Sequence, residues 1–171
     1  SIMATSVAII AALKESGKID EHSFHCVAGH SLGEYSALVA NKSLDFSDSV
    51  ELLKIRSKAM QESMPVGTGG MAAIIGGTED DIAATISDIS SEGKVFIAND
   101  NAVGQVVISG EMKAIDYIVA NSKKLGLKKV IKLSVSAPFH CEFMMKASMT
   151  MQNEIEKFNF KAFDVPLYSN V

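Results

Sequence analysis

Apolar and polar positions along the chain fall into an ordered series of short segments. The opening stretch sets Ile2, Val7, Ile9, Ile10 and Leu13 for burial, with Lys14 and Glu15 near its end, and reads as a helix already under way. It is too short to span a bilayer. Residues 17–21 read as a turn, and Phe24-His-Cys-Val-Ala28 has the composition of a short buried strand. A helix is expected from Glu34. A longer one follows the cap-type residues Asp45-Phe-Ser-Asp48 and carries Val50, Leu52, Leu53, Ile55, Ala59 and Met60. That helix must stop before Pro65, where Gly67, Gly69 and Gly70 make a flexible boundary.

Beyond the glycines the period changes. The pattern predicts a strand over 71–75, a helix over 80–89, strands over 95–98 and 105–109, a helix over 112–125 and a strand over 130–135. This βαββαβ order is that of a ferredoxin-like unit. The expected division is an inserted subdomain over 69–133, flanked by parts of a larger α/β body over 1–68 and 134–171. The tail offers Ser136-Ala-Pro-Phe-His140, a helix over 142–157 and a final strand entering at Pro166. Both ends stop inside such elements, so the chain is expected to be the central part of a longer protein.

Composition narrows the class. Of 171 residues, 47% are hydrophobic and 21% charged, which fits a folded globular chain and excludes a disordered or collagen-like one. The net charge of −4 and the lack of like-charge blocks argue against a nucleic-acid or membrane-surface arm. Cys26 and Cys141 show neither a pairing pattern nor zinc spacing and fit a reducing, cytoplasmic setting.

Three features carry candidate chemistry. Gly29-His30-Ser31-Leu32-Gly33 matches G-x-S-x-G, placed after a strand and before a helix, where a sharp turn exposes the serine hydroxyl and flanking glycines relieve crowding. The helix start also turns backbone N–H groups toward developing negative charge. Ser31 is therefore the candidate nucleophile. A serine needs a base. Of the four histidines, His22 and His25 lie by the turn before the strand, and His30 adjoins the nucleophile with a structural or pocket-wall role. His140, on a loop stiffened by Pro138, is the candidate for a positioned base. Arg56 is the single arginine among 16 basic residues, and its planar fork suits a substrate carboxylate. The polar run with Asn99, Asn101 and Gln105 reads as turn chemistry between two strands. Lys123, Lys124, Lys128, Lys129 and Lys132 read as a solvated face, and the nine methionines as core filler.

The run Gly29-His-Ser-Leu-Gly-Glu-Tyr-Ser-Ala-Leu38, Arg56 in Arg-Ser-Lys-Ala-Met-Gln61, Gly69-Gly-Met-Ala-Ala-Ile74, the segment 101–105 and Ser136-Ala-Pro-Phe-His140 stand in one order. Together they resemble the malonyl-CoA:acyl carrier protein transacylase family of bacterial fatty acid synthesis. The resemblance implies an α/β-hydrolase-like larger subdomain with a ferredoxin-like insertion. It implies that Ser31 attacks the malonyl thioester of coenzyme A, that His140 takes the serine proton and that Arg56 holds the malonyl carboxylate. The phosphopantetheine thiol of acyl carrier protein then takes the acyl group. Leu32 would supply one oxyanion N–H, and Phe139 resembles the bulky residue that accompanies malonyl rather than methylmalonyl units. Asn101 is carried over as a substrate-site residue, although Ala102 and Val103 replace the family's usual serine and proline. The resemblance implies a cytoplasmic monomer with no metal, no cofactor of its own, and no nucleic-acid or membrane partner. The family's Gly-Gln-Gly-Ser-Gln segment, with its oxyanion glutamine, and its closing segments are not in this sequence, so the chain by itself is expected to be weakly active or inactive.

Two other readings fit the same residues. A serine hydrolase or thioesterase could use the same elbow, with Asp100 as the one acid expected in a strand-end loop. Alternatively, the chain could only dock an acidic carrier protein, through Lys123, Lys124, Lys128 and Lys129.

Overall fold

The computed structural model describes residues 2–20 and 22–170. Glu21 in the expected turn and Val171 in the expected last strand lie outside the described residues. The elements run α1 (Ile2–Glu15), β1 (Val27–Ala28), α2 (Leu32–Ala40), α3 (Phe46–Gln61), β2 (Gly69–Ile75), α4 (Glu79–Asp88), β3 (Val95–Ala102), β4 (Gln105–Glu111), α5 (Met112–Asn121), β5 (Lys129–Lys132), α6 (Met145–Ile155) and β6 (Leu167–Tyr168). This is a mixed α/β chain. Packing divides it into two compact units, one formed by residues through Arg56 with those from Met151 on, the other by Ser57–Thr150. The second unit is wider at both ends than the 69–133 span drawn from the strand and helix pattern.

In the first unit β1 and β6 pair in parallel, and Leu44, Leu52 and Met151 form a small core with Tyr35, Leu38, Ile55 and Phe158 against it. Asn41, 2% exposed, closes α2 and reaches the returning chain. Its Nδ2 donates to the Val165 carbonyl at 2.8 Å and its Oδ1 accepts the Val165 N–H at 3.0 Å. The side chain thus satisfies both main-chain groups of one residue, as a neighbouring strand would. The expected burial of Ile2 and Ile9 does not hold: they are 73% and 55% exposed, and Met3 is the buried residue of α1. Periodicity identifies an apolar face but not what covers it.

In the second unit β3-β4-β2-β5 form an antiparallel sheet. Alternate residues Ala72 and Ile74, Val106 and Ile108, and Val95 line one face. Ile82 of α4 and Ala114, Ile115 and Ile118 of α5 cover that face. Thr78 and Asp81 form a capping box that starts α4. The polar run at 99–101 is strand rather than the expected loop. β3 continues to Ala102 because two register shifts against β4, one between Ile97 and Asn99 and one between Asp100 and Ala102, absorb the extra residues. Asp100 therefore lies within a strand, not in a strand-end loop. Lys123, Lys124, Lys128 and Lys129 are exposed, and Lys132 pairs with Asp116. Met71, Met144 and Met151 fill core positions as expected, whereas Met145 and Met149 are 61% and 62% exposed.

Candidate active site

The chain leaves β1 at Ala28 and turns through Gly29 and His30 into α2. At the turn Ser31 holds φ 53° and ψ −108°. A non-glycine residue adopts this region only where its surroundings impose it, at a cost on the order of 1–3 kcal/mol. The turn closes through Gly33 N–H to the His30 carbonyl at 2.8 Å and Glu34 N–H to that of Ser31 at 3.2 Å. A Cβ on Gly29 would stand 2.1 Å from the Gly33 carbonyl group, so the crossing requires glycine there. At Gly33 a Cβ would meet nothing within 4 Å. The expectation that both flanking glycines relieve crowding is therefore met only at Gly29, because the tight approach is one-sided.

Ser31 occupies the N-cap position of α2, but its side chain makes no capping bond. Its Oγ instead accepts a hydrogen bond from Nη2 of Arg56 at 2.8 Å. The Arg56 guanidinium carbon lies 5.9 Å from the centroid of the Tyr35 ring, a cation–π distance that helps hold the fork beside the serine. Burial raises the Tyr35 phenol above its ordinary value, and the Arg56 charge partly offsets this. Leu32 is the first residue of α2, where helix N–H groups face outward from the turn. Three expected residues, Ser31, Leu32 and Arg56, thus lie together in the first unit, with His30 exposed between Gly29 and Ser31.

Sequence reasoning missed Asn170. Its Oδ1 accepts the Ser31 N–H at 2.6 Å and its Nδ2 donates to the Gly29 carbonyl at 2.6 Å, so one side chain grips the turn on both sides of His30. The partners are 139 and 141 residues apart in the chain, and no local motif announces the pairing.

His140 lies in the second unit, on a loop fixed to the sheet face opposite the helices. Ala137 and Pro138 are buried, and Pro138 occupies the space a Cβ on Gly69 would need, 2.4 Å from its Cδ. The Cys141 thiol donates to the Pro138 carbonyl at 3.0 Å, and Ser109 Oγ lies 3.7 Å from Cys141 Sγ. Burial pushes the Cys141 thiol up. Phe143 packs edge-on to Phe96, with ring centroids 5.6 Å apart. His140 itself is exposed at φ 57°, a left-handed conformation in which histidine is enriched. Phe139 beside it is half-buried, and Asn101 is the exposed extra residue of the second β3 register shift. Among the described residues no group of three or more His, Cys, Asp or Glu side chains could hold a metal ion, and no helix is long and apolar enough to cross a membrane.

A strained serine between a strand and a helix, with an arginine on its hydroxyl, is an arrangement suited to acyl transfer. The acyl transferase domain family matches residues 1–171, and the chain belongs to that family. Within it, the chain is 40% identical over 172 residues to the malonyl CoA-acyl carrier protein transacylase of Bacillus subtilis (strain 168), covering 100% of this chain and 53% of that protein. The crystal structure of the acyl-carrier-protein-S-malonyltransferase from Bartonella henselae superposes with a TM-score of 0.88 at 44% identity, covering 96% of this chain and 52% of that one. A malonyl-transacylase solved in complex with its type II PKS acyl-carrier protein superposes with a TM-score of 0.91 at 37% identity, covering 99% of this chain and 54% of that one. The chain spans about half the length of the curated relatives it matches.

Proposed function

We propose that the chain contributes to malonyl transfer from malonyl-CoA to the phosphopantetheine thiol of an acyl carrier protein in fatty acid synthesis. The body around Ser31 is read as α/β-hydrolase-like, with a ferredoxin-like βαββαβ insertion. The strand order β3-β4-β2-β5 supports the second description. The observation that carries the functional reading is the hydrogen bond from Arg56 to Ser31 Oγ, because it puts a carboxylate-binding fork on the atom that would bear the acyl group.

In this reading Ser31 Oγ attacks the thioester carbonyl while His140 accepts its proton. The C–S bond breaks, and His140 returns the proton to the coenzyme A thiolate. The Leu32 N–H stabilises the oxyanion. The malonyl carboxylate, one methylene beyond the ester carbonyl, takes the Arg56 fork. His140 next deprotonates the carrier thiol, the thiolate attacks the ester carbonyl, the C–O bond to Ser31 breaks, and His140 returns the proton to Ser31 Oγ. Phe139 limits the space around the acyl methylene, and His30 and Asn101 contribute to the substrate site. No resident cofactor is needed, because the carrier brings the phosphopantetheine.

The full-length protein carrying this sequence, mixed with malonyl-CoA and digested for mass spectrometry, is expected to show malonyl on the Ser31 peptide. Addition of holo carrier protein should discharge it. Absence of the adduct refutes the reading, and rapid loss to water without a thiol acceptor favours a hydrolase instead.

A further inference from the structure

The parallel ladder between β1 and β6 covers two residue pairs, Val27↔Leu167 and Ala28↔Tyr168, and ends where the chain bends into the elbow. Carried two residues further, the same register sets His30 opposite Asn170. In a parallel ladder the residue opposite position 30 donates to the carbonyl of 29 and accepts from the N–H of 31. Asn170 makes both bonds, at 2.6 Å each, with its side chain. A carboxamide is planar and carries the donor and acceptor of a peptide group, so it can occupy a ladder position that the main chain has left. Its orientation is fixed, since a main-chain N–H only donates and a carbonyl only accepts.

We propose that Asn170 is a positioning residue for the nucleophile, its amide standing in for a strand peptide that clamps the turn on both sides of His30 and so holds the chain entering the strained Ser31. Asn170 holds the peptide before His30 and the one after it, and the second of these is the peptide that leads into Ser31 at φ 53°. The proposal rests on the reading of Ser31 as the acylated nucleophile.

The test compares the full-length protein with its Asn170→Ala and Asn170→Asp variants in three measurements. Labelling of Ser31 by a phosphonofluoridate reports the elbow whichever acyl donor the enzyme uses, and single-turnover malonylation reports the proposed reaction. Hydrogen exchange at the Ser31 amide in the unsubstituted protein reports the bond itself and needs no variant. Protection of that amide is expected, and an unprotected amide overturns the proposal. Asn170→Ala should slow both labelling and saturated malonylation by about 10- to 100-fold, with half-saturation by malonyl-CoA changed less than about threefold. In Asn170→Asp a carboxylate faces the Gly29 carbonyl. Its deficit relative to the unsubstituted protein should shrink as pH falls and the acid gains an O–H donor. Unchanged rates in Asn170→Ala, or a loss confined to half-saturation, overturn the proposal. An unsubstituted protein that takes the phosphonofluoridate but not malonyl refutes the transacylase reading alone, while one inert to both refutes the proposal as well.

Discussion

Replacement of Arg56 by alanine removes a hydrogen bond of 2.8 Å to Ser31 Oγ and a cation–π contact at 5.9 Å from the Tyr35 ring. In the proposed reaction Ser31 Oγ becomes the oxygen of a malonyl ester, and the free carboxylate one methylene beyond the ester carbonyl would take the fork that now rests on that Oγ. Hydrogen bonds to a charged group contribute about 1.5–3 kcal/mol, which corresponds to roughly 10- to 150-fold in rate. An acetyl donor has no carboxylate to lose. Arg56→Ala is therefore expected to lower kcat/KM for malonyl-CoA by that factor relative to acetyl-CoA, and Arg56→Lys should recover only part of it, because an ammonium lacks the planar fork. The assay is competition between the two thioesters, read as the ratio of acyl groups on the Ser31 peptide. A second readout is independent of substrate. The Arg56 charge opposes the effect of burial on Tyr35, so its removal should raise the Tyr35 phenol further, seen by ultraviolet titration. A malonyl-to-acetyl ratio unchanged within about twofold refutes the assignment of Arg56 as carboxylate anchor, since even the lower bound of the estimate exceeds that.

Gly29→Ala places a methyl 2.1 Å from the Gly33 carbonyl group; it should abolish Ser31 labelling and lower stability by about 1–3 kcal/mol in urea unfolding, whereas alanine at Gly33 meets no steric barrier from neighbouring atoms. Asn41→Ala leaves the Val165 N–H and carbonyl without their partners and should cost roughly 1–3 kcal/mol, measured by the shift in urea midpoint. Asp81 is held below the usual carboxylate range by the Thr78 N–H first and the Thr78 hydroxyl second. Its contribution to stability is thus full above the ordinary carboxylate pKa and is lost as pH falls through the lowered one. Thr78→Ala should move Asp81 part of the way back up, visible in an NMR titration of its carboxyl carbon.

Features built from neighbouring residues were legible in the sequence. The elbow is one, because strand, G-x-S-x-G and helix are contiguous, and α3 is another, beginning at Phe46 within the run Asp45-Phe-Ser-Asp48. The βαββαβ order was legible too, because each element carries its own period. What escaped was made by distant or irregular pairing. Asn170 reaches Ser31 across 139 positions, and nothing about an asparagine after Tyr168-Ser169 marks it as a partner of the nucleophile. The polar residues at 99–101 suggested a loop, yet register shifts keep them in β3. Arg56 stood out by its rarity, but only the folded first unit shows that its fork rests on the serine hydroxyl itself.

The clamp on the elbow also sets an order of assembly during synthesis. Ser31 leaves the ribosome 139 residues before the side chain that grips its amide, and Val27 likewise waits for Leu167. The second compact unit, Ser57–Thr150, lies wholly within that interval. At about 5–20 residues per second, roughly 7 to 28 seconds separate the serine from its clamp. A nascent chain therefore carries an incomplete elbow while the four-stranded unit is made, and the strained turn at Ser31 gains its clamp only after that unit has been synthesised.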